Sequence, residues 1–304
     1  MGKEYEFSFE QIVASASDVI IVTKAQPIDG TGPEIVYVNE AFTRLTGYTP
    51  EEALGNTPRL LQGIGTSLDA RQRIREALLS EQPARVEILN YSRSGKEYWL
   101  DLNIMPLRNE AGKVTHFAAI ERDITQRKQQ EDALFQFATT DAMTGINNRR
   151  YFLERARNEI MRATRLDRPV SVVTFDIDNF KAINDVYSHE AGDKVLVEIA
   201  GRVRSVLRQV DIFGRVGGEE FALLLPESRL EEALIVAESL RSTIAGTVVD
   251  IGSMQLTVTA SFGVSECLVD DATIDTLLAR ADRALYAAKA AGRNAVCSSL
   301  DCSC

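Results

Sequence analysis

The sequence lacks any long apolar segment, and it has fewer basic than acidic residues. No apolar run reaches the ~18 residues that a membrane-spanning helix needs, and the first ten residues lack the apolar core of a signal peptide. The 34 Lys and Arg against 44 Asp and Glu leave a net charge of −10. This charge disfavours a nucleic-acid partner, because affinity for a phosphate backbone is built from clustered cations. We therefore expect a cytoplasmic protein that contacts neither membrane nor nucleic acid, and any nucleotide substrate must bring its own cations.

Cysteine is scarce and confined to the end of the chain. The four cysteines are Cys267, Cys297, Cys302 and Cys304. Three of them fall within the last eight residues, in the segment CSSLDCSC. Zinc binding is one interpretation of this segment, and reduced thiols in a frayed terminus are the interpretation that we favour.

Two acidic motifs stand out in the second half of a chain long enough for about two packed domains. The segment RVGGEEF places Gly217 and Gly218 before two carboxylates, which predicts a hairpin whose tip is bare backbone. Glycine there would permit positive φ and the close approach of an anion to the amides. The segment VVTFDID, residues 172–178, predicts a buried strand that ends in acids. Carboxylates suit magnesium, so the two motifs together predict a site for a nucleoside triphosphate and its metal.

With FDIDNFKAIND and RVGGEEF in this order, the chain resembles the GGDEF family of diguanylate cyclases from about residue 141 to 296. The resemblance implies a palm-type sheet with helical crossovers, as in nucleotidyl cyclases and polymerases. It also implies that two GTP molecules are joined into cyclic di-GMP with release of pyrophosphate, in a homodimer. The reaction is an attack of a 3′-hydroxyl on an α-phosphate, which positioned cations favour, and Mg²⁺ or Mn²⁺ is expected.

The resemblance assigns the acids. Asp176, Glu219 and the carbonyl of Ile177 are expected to hold the metal. Glu219 is the candidate for assisting deprotonation of the attacking hydroxyl, and Glu220 is expected to share the metal. For any of these acids alone, a solvated strand end is the alternative interpretation.

The resemblance also assigns substrate contacts. Asn184 and Asp193 match the positions that the family uses for guanine, whereas a turn cap and a helix N-cap are the alternatives. The segment ALYAAKAAGRN directs Lys289 and Arg293, expected one turn apart on the terminal helix, to the triphosphate. Complementation of the helix dipole is the alternative for this pair. Further expected substrate contacts are Phe180, Lys181, Gly217 and Gly218.

Arg208 and Asp211 match the RxxD inhibitory site of the family, both in residue type and in distance from the glycines. The match implies feedback inhibition by cyclic di-GMP, since an arginine fork can hold a guanine edge or a phosphate. A surface ion pair worth about 0–1 kcal/mol is the alternative.

The first half of the chain predicts an antiparallel sheet with helices on one side. The predicted strands are DVIIVT, EIVYVN, ARVEILNYS, EYWLDLNIMPL and KVTHFAAIER, with a helical segment over 41–79. This order resembles a PAS domain from about residue 17 to 125. The segments VYVNEAFTRLTGYTPEEALGNTPRLLQG, NYSRSGKEYW and HFAAIERDIT are similar to its LOV-like branch.

The LOV resemblance bears on a flavin. In photoactive members a cysteine attacks the flavin from the position of Pro58, and no other cysteine lies in this domain, so that adduct cannot form. Two ring contacts are altered, to Leu100 and Glu121, and a carboxylate facing the ring would have to be protonated or displaced. A flavin, FMN or FAD, and an empty or differently liganded domain that serves in dimerisation remain as alternatives. The residues that the resemblance directs to a flavin are Arg59, Gln62 and Asn90.

Residues 125–139 contain no Gly or Pro and predict a helical linker. The spacing of Ile124, Glu131, Leu134 and Ala138 fits a short, imperfect heptad seam, which favours a parallel coiled coil between two copies. A monomeric helix lying on its own domain is the alternative.

We predict an α+β protein: a PAS/LOV-like antiparallel sheet domain, a helical coiled-coil linker and a GGDEF palm-type domain. The expected divisions are an N-terminal extension (1–17), the sensor domain (18–124), the linker (125–140), the cyclase domain (141–297) and a tail (298–304). In the cyclase domain we expect helices over 149–164, 193–206, 230–245 and 274–290, and strands ending at 176 and spanning 256–262. The predicted function is a sensor-regulated diguanylate cyclase. The alternatives are a catalytically silent receptor for GTP or cyclic di-GMP, and a flavin-binding photoreceptor or redox sensor.

Overall fold

A computed structural model describes residues 8–30, 32–252, 254–268 and 273–300. The chain divides into two compact units, residues 1–133 and 134–304. Cys302 and Cys304 lie outside the described residues, so the zinc interpretation of the tail stays a prediction. Within the described ranges, no helix is both long and apolar enough to cross a membrane.

The first unit contains a five-stranded antiparallel sheet, as predicted. Its strands are β1 (Val19–Lys24), β2 (Ile35–Val38), β3 (Ala84–Tyr91), β4 (Glu97–Arg108) and β5 (Val114–Asp123). They lie in the order β2-β1-β5-β4-β3. Buried and partly exposed residues alternate along β1 and the first half of β4, so one face of the sheet packs on the core.

The helical segment expected over 41–79 is broken into four pieces. After a short helix α1 (Phe9–Ala14) and the first two strands come α2 (Glu40–Thr46), α3 (Pro50–Ala53), a 3₁₀ turn (Pro58–Leu61) and α4 (Leu68–Leu79). Gly47 ends α2 in a left-handed conformation, and a proline begins each of the next two pieces. These residues interrupt the helix because each favours a boundary over a helix interior.

Helix α5 (Thr125–Thr139) begins and ends where the sequence predicts the linker. Ile124 precedes the helix, is buried, and donates its N–H to the carbonyl of Trp99 at 2.9 Å. The assignment of Ile124 to an interhelical seam is therefore wrong, because its side chain belongs to the interior of the first unit. Leu134, Phe135 and Phe137, in contrast, are more than half exposed.

The second unit contains a six-stranded sheet and a separate two-stranded ribbon. The strands are β6 (Asn147–Asn148), β7 (Val170–Ile177), β8 (Ile212–Arg215), β9 (Glu220–Pro226), β10 (Val248–Asp250), β11 (Gln255–Thr257), β12 (Ala260–Glu266) and β13 (Val296–Ser298). The sheet has the order β13-β12-β7-β9-β8-β6, and β10 pairs with β11. All eight residues of β7 are buried, as the apolar run before Asp176 predicts.

Five helices accompany this sheet. They are α6 (Arg149–Leu166), α7 (Phe180–Tyr187), α8 (His189–Val206), α9 (Leu230–Ala245) and α10 (Ile274–Ala290). The bounds of α9 and α10 agree with the prediction. Helix α7 is an addition to it, and α8 begins at His189 rather than near Asp193, because Ser188 with φ 104° separates the two helices.

The strand expected over 256–262 is two strands, and that expectation is wrong. The backbone leaves the ladder between β11 and β12, where the carbonyl of Thr259 accepts the N–H of Asp178 at 2.9 Å. The Thr259 hydroxyl donates to the Asp178 carboxylate at 2.7 Å. Side-chain chemistry therefore interrupts a segment whose apolar pattern is continuous.

Three neighbouring strands are joined by stacked phenyl rings. Phe175 on β7 stacks with Phe221 on β9 and with Phe262 on β12, each at 4.9 Å between ring centroids. All three side chains are fully buried. The stack lies next in sequence to Asp176 and Glu220, so it supports the strand ends that carry the acids.

Candidate active site

The two acidic motifs meet at one end of the sheet. Asp176 on β7 lies opposite Glu220 on β9, and the Ile177 N–H donates to the carbonyl of Glu219 at 3.4 Å. Glu219 sits in the turn that precedes β9 and is half-buried, whereas Glu220 is exposed. The structure thus brings together the four residues that the sequence directs to the metal and to catalysis.

Asp176 is a buried acid among acids. Burial raises the pKa of Asp176, the charges of Glu219 and Asp178 act in the same direction, and a hydrogen bond from Lys289 opposes them. The Lys289 Nζ lies 2.9 Å from Asp176 Oδ1. The carboxylate end of β7 therefore favours a cation beside it.

The donor set suits a divalent cation that arrives with a nucleotide. Within the described part of the chain, no three His, Cys, Asp or Glu side chains are arranged to hold a metal by themselves. Asp176, Glu219 and the Ile177 carbonyl are oxygen donors, and Mg²⁺ is commonly held by one or two carboxylates together with phosphate oxygens. The residues present fit that mode.

The glycine turn differs from the expectation in its backbone. Neither Gly217 nor Gly218 has a positive φ, so the prediction of a left-handed turn is wrong. A Cβ at Gly217 would meet the Glu220 carboxylate, so a larger residue there would displace this exposed side chain from its present position. At Gly218 a Cβ would meet nothing within 4 Å, which leaves the backbone open to a bulky anion.

Arg215 holds this turn, a role that the sequence analysis missed. Its Nε and Nη2 donate to the Gly218 carbonyl at 2.8 and 2.6 Å, and its Nη1 donates to Asp141 Oδ1 at 3.1 Å. The signal was present as the basic residue that opens RVGGEEF, but its partner lies 74 residues away in sequence. A single arginine thus connects the turn to the start of the second domain.

The proposed guanine residues approach each other through Gly192. Asn184 lies on α7, and a Cβ at Gly192 would overlap the Asn184 Oδ1, so only glycine leaves room for this side chain. The Asn184 Oδ1 is buried and has no hydrogen-bond partner, which leaves an acceptor for a ligand N–H. Asp193 is exposed and lies inside α8, so the alternative that it caps this helix is wrong.

The other expected substrate residues lie at two helix ends. Phe180 and Lys181 begin α7, directly after the acidic end of β7, with Phe180 buried and Lys181 exposed. Lys289 lies in the last turn of α10, but Arg293 lies three residues beyond its end with φ 68°. The expectation that Lys289 and Arg293 share one helix face is therefore wrong, because Gly292 and Arg293 turn the chain away.

The RxxD residues form a firmly held pair. Arg208 Nη2 lies 2.8 Å from Asp211 Oδ1 and also donates to the Pro226 carbonyl and the Ser228 hydroxyl. The Asp211 carboxylate is almost fully buried, whereas the Arg208 side chain is 53% exposed. One edge of the guanidinium is committed to the protein, and the exposed part faces solvent.

A cavity of about 710 Å³ lies in the first unit. Arg59, Gln62 and Asn90 all line it, as do Pro58 and Glu121. Leu100 is not among the lining residues and is fully buried. The residues that the LOV resemblance directs to a flavin thus line one cavity, whereas Leu100 does not, and their role in binding a flavin stays a prediction.

The polar wall of the cavity has unpartnered atoms. Asn90 Oδ1 and Glu121 Oε2, which belong to lining residues, are buried without a hydrogen-bond partner. Tyr98, whose hydroxyl is also buried, does not line this cavity. Burial raises the pKa of Glu121 to about 8, so this carboxyl is largely protonated at neutral pH. Burial and the Glu121 carboxyl also raise the pKa of Tyr98. A neutral Glu121 beside Asn90 fits a heterocycle edge that offers both donors and acceptors, such as that of a flavin.

Comparisons with known proteins agree with this organisation. Residues 18–126 match the family model for the PAS domain, which confirms the resemblance of the first domain. The response regulator PleD of Caulobacter vibrioides is 42% identical over 180 residues, 56% of this chain and 40% of that protein. A diguanylate cyclase of Vibrio cholerae is 37% identical over 191 residues, 63% of this chain and 59% of that protein. The chain thus spans less than two thirds of the length of these relatives.

A solved structure and a second family model bear on the second domain. The GGDEF domain of DgcB from Caulobacter crescentus, in complex with c-di-GMP, superimposes with a TM-score of 0.52 at 30% sequence identity. The match covers 53% of this chain and 93% of that one. Residues 138–295 match the model described as diguanylate cyclase, GGDEF domain, which is more than half of the chain, and the chain therefore belongs to the GGDEF family.

Proposed function

We propose that this protein is a diguanylate cyclase that condenses two GTP molecules into cyclic di-GMP. The observation that carries the proposal is the meeting of Asp176, Glu219 and Lys289 at one end of the sheet, beside a glycine turn open to an anion. The relatives named diguanylate cyclases support it. Both acids required for turnover are present, which argues against the silent receptor.

The chemistry needs positioning and charge. In each of two steps a 3′-oxygen bonds to the α-phosphorus of the other GTP, the bond to the bridging oxygen breaks, and pyrophosphate leaves. A bound Mg²⁺ or Mn²⁺ would neutralise charge on the phosphates. Glu219 accepts the proton of the attacking hydroxyl, with Glu220 beside it, and Asp176 keeps the charge balance of the site.

The remaining residues bind the nucleotide. The unpartnered Asn184 oxygen accepts from the guanine edge, and Asp193 meets a second polar group of the base. Lys289 and Arg293 hold the triphosphate, together with the amides at the start of α7. The residues assigned to that segment and to the turn are Phe180, Lys181, Gly217 and Gly218.

We propose a homodimer formed through α5. Each cyclase domain holds one GTP, so two domains must face each other for both bonds to form. Leu134, Phe135 and Phe137 are 68, 55 and 85% exposed, which is a large apolar surface for one short helix. Leu134 and Phe137 lie about 60° apart around the helix axis, so pairing of two such helices would cover these two side chains and would let the sensor domains set how the cyclase domains meet. Phe135 lies on another face of α5 and packs edge-on against Tyr151, at 6.0 Å between ring centroids.

Regulation has two proposed inputs. Cyclic di-GMP inhibits by binding at Arg208 and Asp211, where the exposed part of the guanidinium is available. The cavity of the first unit binds the sensory ligand, and a flavin is the ligand that the LOV-like residues imply. A bound flavin would supply light absorption and reversible redox chemistry, which an absorption spectrum of the purified protein detects directly.

The proposal is tested by incubating the purified chain with GTP and MgCl₂ and separating the products by chromatography. We expect cyclic di-GMP from the wild type and none from Asp176→Asn. Asp185→Asn, which alters an exposed acid on α7, is the matched control and should behave as the wild type. If the wild type binds GTP but forms no cyclic di-GMP as a dimer, the silent receptor is the better description.

A further inference from the structure

Asp178, the second acid of FDIDNF, has no role in the site described so far, yet it is buried and fully engaged. The Thr259 hydroxyl and the Asn294 backbone N–H both donate to Oδ2, at 2.7 and 2.9 Å. The Ser261 hydroxyl donates to Oδ1 at 2.7 Å. Three neutral donors from two distant segments thus converge on one carboxylate.

One of these segments is the turn that follows α10. Residues 292–294 all have positive φ, 116° at Gly292, 68° at Arg293 and 44° at Asn294. Left-handed backbone is unfavourable for arginine and persists where surrounding contacts determine it. The contact from Asp178 to the Asn294 N–H is one of these, and the Asn294 side chain is held by Arg241 Nη1 at 2.7 Å.

The same turn carries one of the two cations and adjoins the other. Arg293 lies at its centre, and the Arg293 N–H returns to the Ala288 carbonyl at 3.2 Å, in the last turn of α10 that carries Lys289. Lys289 in turn reaches Asp176, two residues before Asp178 on the chain. The end of β7 and the end of α10 are therefore tied together by two separate contacts.

We propose that Asp178 is a positioning residue that holds the turn of residues 292–294 and so directs Lys289 and Arg293 towards the triphosphate. This inference rests on the proposed function. Asp178 touches neither nucleotide nor cation in this role, because its two oxygens are taken up by Thr259, Ser261 and Asn294. Asp176 thus faces the active site, whereas Asp178 binds Thr259, Ser261 and Asn294 of the surrounding structure.

A positioning role for Asp178 predicts different effects for its substitution by Asn and by Ala. In Asp178→Asn the amide oxygen can still accept from the Asn294 N–H and the Thr259 hydroxyl, and the amide NH₂ can donate to the Ser261 hydroxyl oxygen. The turn is kept although the charge is lost. Asp178→Ala removes every acceptor and leaves the Asn294 N–H without a partner. A group that bound the cation itself would show the opposite sensitivity, to charge rather than to hydrogen bonding.

The experiment compares kcat and KM for GTP among the wild type, Asp178→Asn and Asp178→Ala, with affinity for a fluorescent GTP analogue measured in parallel. Ser171→Ala is the matched control, because it removes a buried hydrogen bond, from Ser171 Oγ to the Ser228 carbonyl at 2.9 Å, near the start of strand β7, whose end Asp178 directly follows. Hydrogen exchange of the peptide spanning residue 294 reports on the turn directly.

For Asp178→Ala we expect KM to rise about tenfold with kcat little changed, since cations that hold the triphosphate throughout the reaction contribute uniform binding. The Asn294 amide should exchange faster. Asp178→Asn and Ser171→Ala should keep KM within about threefold of the wild type.

Two results overturn the proposal. One is a folded Asp178→Asn protein as inactive as Asp176→Asn, which would make Asp178 a direct partner of the cation. The other is an unchanged KM in folded Asp178→Ala. If Asp178→Ala fails to fold, Asp178→Asn alone still separates the two roles. If the wild type forms no cyclic di-GMP, the proposed function fails, whereas affinity for the GTP analogue still tests the positioning of Lys289 and Arg293.

Discussion

Replacing Glu121 by Gln should stabilise the first domain, and increasingly so as the pH rises. Burial raises the pKa of Glu121 to about 8 from 4.5, and its Oε2 has no partner. Because the folded-state pKa lies above the unfolded value, the folded protein binds the proton more tightly. The wild type therefore loses stability as the pH rises from about 4.5 through about 8, and the Gln variant does not.

The magnitude follows from about 1.4 kcal/mol per pKa unit. The wild-type carboxyl should cost about 1 kcal/mol at pH 5, about 3 kcal/mol at pH 7 and about 5 kcal/mol at pH 9 relative to Gln. For a domain of this size each kcal/mol corresponds to about 4 °C in Tm. The expected advantage of Glu121→Gln in Tm is thus about 4 °C at pH 5 and about 20 °C at pH 9.

Intrinsic fluorescence provides a domain-specific assay, because Trp99 on β4 is the single tryptophan of the chain. Thermal unfolding of the ligand-free protein at pH 5, 7 and 9 gives the required comparison. Glu110→Gln, in an exposed turn, is the control and should show no pH-dependent difference. A difference between wild type and Glu121→Gln that stayed constant from pH 5 to pH 9 would refute the reasoning, since the carboxyl would then have similar pKa values in both states.

Three further predictions concern catalysis and its control. Glu219→Gln should lower the rate of cyclic di-GMP synthesis by at least about 10²-fold, because one preorganised charge at the reacting phosphate is lost. The far-UV circular dichroism spectrum should not change. Near-wild-type turnover would contradict the catalytic role of Glu219. Arg208→Ala should relieve inhibition by added cyclic di-GMP with little loss of initial rate, measured as the shift in the half-inhibitory concentration, and equal inhibition of both proteins would place the inhibitory site elsewhere. One residue inserted after Glu131 turns the following helix by about 100°, so it should change basal activity severalfold, and seven inserted residues should restore it. Activity indifferent to both insertions would mean that α5 is not a rotational relay.

Elements with strong local signals are predicted well from the sequence. Helices α5, α9 and α10 have the expected bounds, because each lacks Gly and Pro and is flanked by clear boundary residues. The buried strand β7 also agrees, and so does the hairpin of β8 and β9, although its glycines lack the expected positive φ. The acids of these two segments are adjacent in space because β7 and β9 are neighbours in the sheet, which a strand pattern alone does not specify.

The failures arise where long-range contacts override local pattern. The apolar segment 256–262 is interrupted because Thr259 bonds to Asp178, 81 residues away. Arg293 adopts a left-handed backbone conformation that is unfavourable for arginine, because the chain around it holds the turn. Ile124 fits a heptad spacing, but its side chain is buried in the first unit. In each case the contact that determines the local structure is made by residues distant in sequence, so a local sequence pattern does not predict it.

The stack of Phe175, Phe221 and Phe262 has a consequence for how a signal could act. The three stacked rings hold adjacent strands together next to the acids. We therefore expect the part of the active site that one cyclase domain contributes to be rigid. An input from the sensor domain would then change how often the two cyclase domains of a dimer face each other, while the affinity of each domain for its own GTP stays the same. If the proposed dimer and its regulation by the first domain are correct, the signal should change kcat for cyclic di-GMP synthesis rather than the affinity of each cyclase domain for GTP.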